Sequence, residues 1–184
     1  SWQPCGLILS GIEHTDELRR TVAQSGVRVA EIMDVEGDAI SASFGISQQA
    51  AGAEMARHFI AQGHRRVAYI GSQGGSDLRA LKRYTAFKSE LEAEGGCITY
   101  ERIANRASSM PLGRELTAAC LSDVTDCDAI YFSNDDLAAG GLMHCLSNEI
   151  SVPHGVALAG FNDLPFLSAL PQQITTPHTP RYEI

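Results

Sequence analysis

Basic residues are scarce in this chain: 14 Lys+Arg stand against 22 Asp+Glu, for a formal charge of −8. Nucleic acid and anionic membrane surfaces both reward clustered positive charge, so the segment is not expected to grip either by itself. No apolar run approaches the roughly 18 residues that a membrane-spanning helix needs. No secretory signal pattern is visible ahead of the first apolar run. The five cysteines (Cys5, Cys97, Cys120, Cys127, Cys145) are odd in number and contain no Cys-x-x-Cys pair. That argues against a disulfide framework or a zinc site and for reduced, buried thiols in a cytoplasmic protein. The six histidines (14, 58, 64, 144, 154, 178) form no His-x-x-x-His or His-Glu-x-x-His pair. No Gly-x-Ser-x-Gly elbow is present to hold a nucleophile. Gly71-Ser72-Gln73-Gly74-Gly75 lacks both the Gly-Lys-Ser/Thr ending and the Gly-x-Gly-x-x-Gly spacing of phosphate loops. No cofactor, metal or catalytic residue is expected, and the chain does not read as an enzyme.

What is present is an alternation of strand-like and helix-like segments. At 184 residues and 44% hydrophobic, the chain can bury a substantial core. Gly6 to Ser10 reads as a strand, and Thr15 as the N-cap of a helix whose inner face carries Leu18 and Val22. Val27 to Ile32 reads as a second strand, and Ala42 to Ile46 as a short extended piece. Met55, Ala56, Phe59 and Ile60 repeat at helical spacing and stop at Gly63. Val67 to Gly71 is strongly β-like. Tyr84, Phe87 and Leu91 mark another helix, ending at Gly95-Gly96. Ile98 to Ala104 follows as a strand, with a shorter helix through Leu112, Leu116 and Cys120. Ala129 to Phe132 reads as a buried strand, then a helix after Asn134, then a last strand from Val156 to Phe161. Such alternation predicts an α/β fold with parallel sheets covered on both faces. The natural division falls at Gly63 to Arg66, and Pro171, Pro177 and Pro180 favour extended chain near the C-terminal end.

Polar residues gather where buried strands should end: Gly71-Ser72, Ser133-Asn134-Asp135-Asp136 and Gly160-Phe161-Asn162-Asp163. Ligands of open parallel sheets bind in the crevice past those ends. Arg83 lies early in the helix after one such strand, where its fork can hold a carboxylate or a pair of sugar hydroxyls. Asn134 and Asn162 each offer a donor and an acceptor, matching a hydroxyl, although asparagine also caps helices and forms turns. Asp135 and Asp136 read more readily as first-turn carboxylates facing a helix dipole than as general acids.

Four runs carry a resemblance to a known family: Gly63-His64-Arg65-Arg66-Val67-Ala68-Tyr69-Ile70-Gly71; Arg83-Tyr84-Thr85-Ala86-Phe87; Ser133-Asn134-Asp135-Asp136-Leu137-Ala138-Ala139-Gly140; and Val152-Pro153 through Phe161-Asn162-Asp163. In order and spacing the chain resembles the effector-binding core of the lac repressor and galactose repressor family. Phe44-Gly45-Ile46-Ser47 and Ser108-Ser109-Met110 look most like the gluconate-utilisation repressors. The resemblance implies a two-lobed, periplasmic-binding-protein-like fold. Residues 1–63 would form part of the N-terminal lobe, 64–172 the C-terminal lobe, and 173–184 a crossover back. Arg83, Asn134 and Asn162 would contact the effector from the second lobe, with Ser10 and Glu31 as partners from the first. It further implies a cytoplasmic, homodimeric regulator, most often a repressor, that binds operator DNA through an N-terminal helix-turn-helix absent from this chain. Effector binding would then change operator affinity by linkage.

Two departures from the family pattern stand out. Ala86 occupies a position where the family usually has glycine, and Asn162 replaces an aspartate often found there. A neutral amide beside Arg83 does not repel an acidic ligand as a buried carboxylate would. The expected effector is therefore a sugar acid such as gluconate or its phosphorylated form. A periplasmic sugar-binding protein of a transporter shares the fold and is the rival reading.

Overall fold

The computed structural model describes residues 4–73 and 76–180. The chain packs as two units, one running to Gln48 and joined by Pro180, the other from Gln49 to Thr179. This boundary lies one helix ahead of the Gly63–Arg66 division expected from the sequence.

The first unit holds β1 (Gly6–Ser10), α1 (Asp16–Ser25), β2 (Arg28–Ile32) and β3 (Ala42–Phe44). Its strands form a parallel sheet in the order β1-β2-β3. Thr15 caps α1 by accepting from the Leu18 amide at 3.2 Å, and Gly26 closes it with φ of 67°. A left-handed residue at that place satisfies the last carbonyls, and glycine adopts it without a Cβ penalty.

The second unit opens with α2 (Gln48–Ala61), β4 (Arg66–Gly71) and α3 (Leu78–Ala93). It continues through β5 (Cys97–Ile103), α4 (Met110–Asp123), β6 (Ala129–Phe132), α5 (Asp135–Ser147) and β7 (Ala157–Ala159). A short 3-10 helix, Pro165–Ala169, follows, with no counterpart in the sequence reading. The strands are parallel in the order β5-β4-β6-β7. The chain leaves β4 toward β5 and β6 toward β7, on opposite sides, which makes the β4–β6 junction a topological switch point.

Strand alternation explains the two cores. Ala68, Ile70, Ile130, Phe132 and Leu158 face one side, packing with Leu112, Leu116, Leu137 and Leu142 of α4 and α5. Val67, Tyr69, Ala129, Tyr131, Ala157 and Ala159 face the other, with Met55, Phe59, Tyr84, Phe87 and Leu91 of α2 and α3. Successive strand residues point to opposite faces, so a sheet covered on both sides reads as a continuous apolar run. The α4–α5 contact is so close that a Cβ on Gly140 would lie 2.0 Å from the Met110 carbonyl oxygen, and one on Gly113 2.1 Å from that of Leu137. Beyond β7, Thr175 bridges Ala159 in parallel, so the proline-bearing segment runs extended beside the sheet.

Candidate functional site

At the carboxyl ends of β4, β6 and β7 the second unit assembles a polar cluster. Arg83 reaches it from the second turn of α3. Its Nη2 donates to the Ser133 carbonyl at 2.9 Å, and its Cζ lies 3.6 Å from the centroid of the Phe161 ring. The residue is only 5% exposed, although it carries a full charge. A guanidinium stacked on an aromatic face out of water gains about 2 kcal/mol, which offsets part of its desolvation. Burial raises the pKa of the neighbouring Tyr131 phenol, and the Arg83 charge partly opposes that rise. Arg83 is placed by close packing of α2 on α3, since a Cβ on Gly52 would lie 2.1 Å from the Arg83 carbonyl oxygen.

Asn134 is the N-cap of α5. Its Oδ1 accepts from the Leu137 amide at 3.1 Å and from the Ser108 hydroxyl at 2.7 Å. The cap requires the oxygen to point at the helix, so the amide orientation is set by its partners. With that oxygen engaged twice, Asn134 presents N–H donors, rather than the balanced donor and acceptor read from the sequence.

Asn162 follows β7 with φ of 116°, and Asp163 has φ of 53°. Both lie in the left-handed half of backbone space, which costs a non-glycine residue about 1–3 kcal/mol. The Asn162 carbonyl accepts from the Thr179 hydroxyl at 2.6 Å. Asp163 instead donates its amide to Thr176 Oγ1 at 3.1 Å and places its carboxylate 2.9 Å from His178 Nδ1.

The first-turn reading of Asp135 and Asp136 holds, and Asp135 does more. It is fully buried, with one oxygen accepting from the Thr176 hydroxyl at 2.9 Å and the other from the Leu164 amide at 2.8 Å. This carboxylate ties α5 to the chain after β7.

The structure thus brings Arg83, Ser133, Asn134, Phe161 and Asn162 together within one unit. Ser10 and Glu31 belong to the other. Ser10 ends β1, and its hydroxyl lies 3.4 Å from Met33 Sδ. Glu31 is fully buried in β2, accepting from the Ile40 and Ser41 amides at 2.8 and 3.3 Å. His14 Nε2 lies 3.1 Å from the same carboxylate, off the line of a well-formed hydrogen bond. Glu31 therefore holds the 40–41 turn.

Sequence reasoning missed Phe161 as the surface beneath Arg83, and Ser108 as a second donor to Asn134 Oδ1. Ser108 was visible only as part of a family-like run, and Phe161 only as the end of a strand. The thiols divide as well: Cys5 and Cys97 are exposed, against the expectation of burial, while Cys120 and Cys145 are buried. Gly74 and Gly75 of the glycine-rich run lie outside the described residues. Among the described residues no cluster of His, Cys, Asp and Glu could hold a metal ion, and no helix is long and apolar enough to cross a membrane.

Comparison with known proteins agrees with this geometry. Residues 56–184 match the family model described as a periplasmic binding protein-like domain. The HTH-type transcriptional regulator GntR of Pseudomonas aeruginosa is 38% identical over 100% of this chain, which covers 53% of that protein. The HTH-type regulator IdnR of Escherichia coli is 29% identical over 97% of the chain, again with 53% of its own length covered. The chain thus spans about half the length of the curated relatives it matches. A LacI-family transcriptional regulator from Silicibacter pomeroyi superposes with a TM-score of 0.96 at 38% identity, covering 100% of this chain and 55% of that one. The transcription regulator GntR from Chromobacterium violaceum superposes at 0.92 and 34% identity, covering 98% and 66%. On its family match, its parallel sheets and its near relatives, the chain belongs to the periplasmic binding protein-like domain family, in the branch found in lac repressor-type regulators.

Proposed function

We propose that this chain is the effector-binding part of a sugar-acid-responsive transcriptional repressor. One observation carries the reading: Asn134 has its oxygen engaged by Leu137 and Ser108, next to the carbonyl that holds the buried Arg83 guanidinium. A buried guanidinium held by the Ser133 carbonyl beside N–H donors, with the nearby Asp135 carboxylate bonded to Thr176 and Leu164, favours an oxygen-rich ligand that can accept hydrogen bonds. In this reading Arg83 takes the ligand carboxylate, Asn134 donates to a hydroxyl oxygen, and the Asn162 amide meets a further hydroxyl. Ser10 contributes a hydroxyl from the first lobe, and Glu31 acts through the turn it holds.

The relatives named GntR and IdnR support a regulator rather than an enzyme or a transporter component. The whole protein would be a cytoplasmic homodimer that binds operator DNA through a helix-turn-helix outside this chain, with effector occupancy coupled to operator affinity.

The test is calorimetry with gluconate, 6-phosphogluconate, related aldonates and neutral hexoses, each repeated with Arg83→Ala. Saturable aldonate binding that disappears in the variant supports the reading. Tight binding of a neutral sugar, indifferent to Arg83, would overturn both the ligand class and the role of the residue.

A further inference from the structure

The two left-handed residues after β7 are held from outside their own strand. Asn162 has φ of 116° and Asp163 φ of 53°, and backbone in that region persists where the surroundings over-determine it. Each residue from Phe161 to Leu164 gives one backbone group to a partner beyond the turn. The Phe161 carbonyl accepts from the Asp135 amide at 3.1 Å, and the Asn162 carbonyl from the Thr179 hydroxyl at 2.6 Å. The Asp163 amide donates to Thr176 Oγ1 at 3.1 Å, and the Leu164 amide to Asp135 Oδ2 at 2.8 Å.

Thr176 closes this ring of contacts. Its hydroxyl accepts from the Asp163 amide while donating to Asp135 Oδ1 at 2.9 Å. Asp135 is fully buried and follows Asn134 directly in α5. Its place is tight, since a Cβ on Gly160 would lie 2.5 Å from that same oxygen. Just before Thr176 the extended segment is registered on β7: the Gly160 amide donates to the Thr175 carbonyl at 2.8 Å, and the Thr175 amide to the Leu158 carbonyl at 3.2 Å. Thr176 is thus set by the sheet and Asp135 by its helix, and the turn bearing Phe161 and Asn162 is fastened between them. The neighbours of Thr176 reach less of it. Thr179 bonds one carbonyl, and His178 meets the Asp163 side chain from an exposed position.

We propose that Thr176 is a positioning residue for the effector site. Its hydroxyl, shared between Asp135 and the Asp163 amide, holds the 161–164 turn in the left-handed course that sets the Asn162 amide beside the Phe161 ring and the Arg83 guanidinium stacked on it. A hydroxyl suits the place because the carboxylate needs a donor and the amide needs an acceptor, and one O–H group supplies both. Valine keeps the shape of the side chain and supplies neither, whereas serine supplies both with one methyl fewer. Loss of the hydroxyl takes one bond from a buried carboxylate and leaves the Asp163 amide without its acceptor.

The test is hydrogen exchange on the full-length protein, read by mass spectrometry over the turn and the extended segment. In the unsubstituted protein the Asp163 and Leu164 amides should exchange together with those of Gly160 and Thr175, as one cooperative unit. Thr176→Val should speed the Asp163 and Leu164 amides about 10-fold, and Thr176→Ser should restore them, while α2 exchanges alike in every case. Calorimetry with gluconate and 6-phosphogluconate then reads the site itself. Affinity should fall about 10-fold in Thr176→Val and recover in Thr176→Ser. This second measurement rests on the sugar-acid reading proposed above. If neither aldonate binds the unsubstituted protein, that reading fails and the exchange rates alone decide the role of Thr176. The proposal is overturned if Asp163 and Leu164 of the unsubstituted protein exchange as fast as exposed peptide amides, a result that requires no variant to fold. It is equally overturned if Thr176→Val leaves exchange unchanged, or speeds it while aldonate affinity stays the same.

Discussion

The Ser108 hydroxyl donates to Asn134 Oδ1 at 2.7 Å, across 26 residues of chain, and shares that oxygen with the Leu137 amide. The contact reinforces the orientation that the cap sets, with the Asn134 amide nitrogen facing away from its helix. Ser108→Ala removes the contact and leaves the α5 cap in place. A hydrogen bond of this kind contributes about 1 kcal/mol, so effector affinity should fall roughly 3- to 10-fold. Calorimetry with the best aldonate measures this, while the thermal midpoint should scarcely move.

Asn162, with φ of 116°, pays for its conformation in stability. Asn162→Gly relieves strain of about 1–3 kcal/mol and should raise the denaturation midpoint. The same change deletes the side-chain amide and should weaken effector binding. Opposite signs in the two measurements are the expected outcome, the usual relation between a strained ligand-binding residue and stability. A fall in both would show that the Asn162 side chain supports the fold itself.

Gly52 tests how Arg83 is positioned. A Cβ there would meet the Arg83 backbone 2.1 Å away, so Gly52→Ala must push α2 and α3 apart. Overpacking of this kind costs about 1–3 kcal/mol. Urea denaturation should show that loss, and effector affinity should fall with it because the guanidinium rides on the displaced helix. Ala51→Ser, on the same helix but not at this contact, is the control and should leave affinity unchanged.

Stability should decline in alkali. Burial pushes the Cys145 thiol up from 9.0 to about 11, and burial also raises the phenols of Tyr69 and Tyr84, the latter donating to Glu101 as well. These groups hold their protons more tightly when folded than when unfolded. Their contribution is therefore complete below the unfolded values and is lost as pH rises through the folded ones. Urea midpoints should hold steady to about pH 8 and fall progressively toward pH 11. The decline should coincide with exposure of phenolate absorbance at 295 nm, at roughly the wavelength where ionised tyrosine absorbs and the neutral ring does not.

Much of the architecture was legible because it is written in local periodicity. The two-faced apolar runs Val67 to Ile70 and Ala129 to Phe132 required cover on both sides, and the structure supplies it from α2 and α3 on one face and α4 and α5 on the other. Helix ends were legible where a cap has an unambiguous chemistry, as at Thr15 and Gly26. The 3-10 helix Pro165–Ala169 was not, because proline and small residues read equally well as irregular chain.

Sequence by itself determined the α/β alternation, the placing of Arg83, Asn134 and Asn162 past strand ends, and the family likeness. Each depends on residue type and short spacing. Tertiary structure alone decided that Asn134 presents donors and that Arg83 rests on Phe161. It also decided that Glu31 is enclosed by the Ile40 and Ser41 amides. The physical reason is the same in each case. A polar or charged side chain takes its role from the partners that satisfy it, and folding brings those partners from distant positions in the chain.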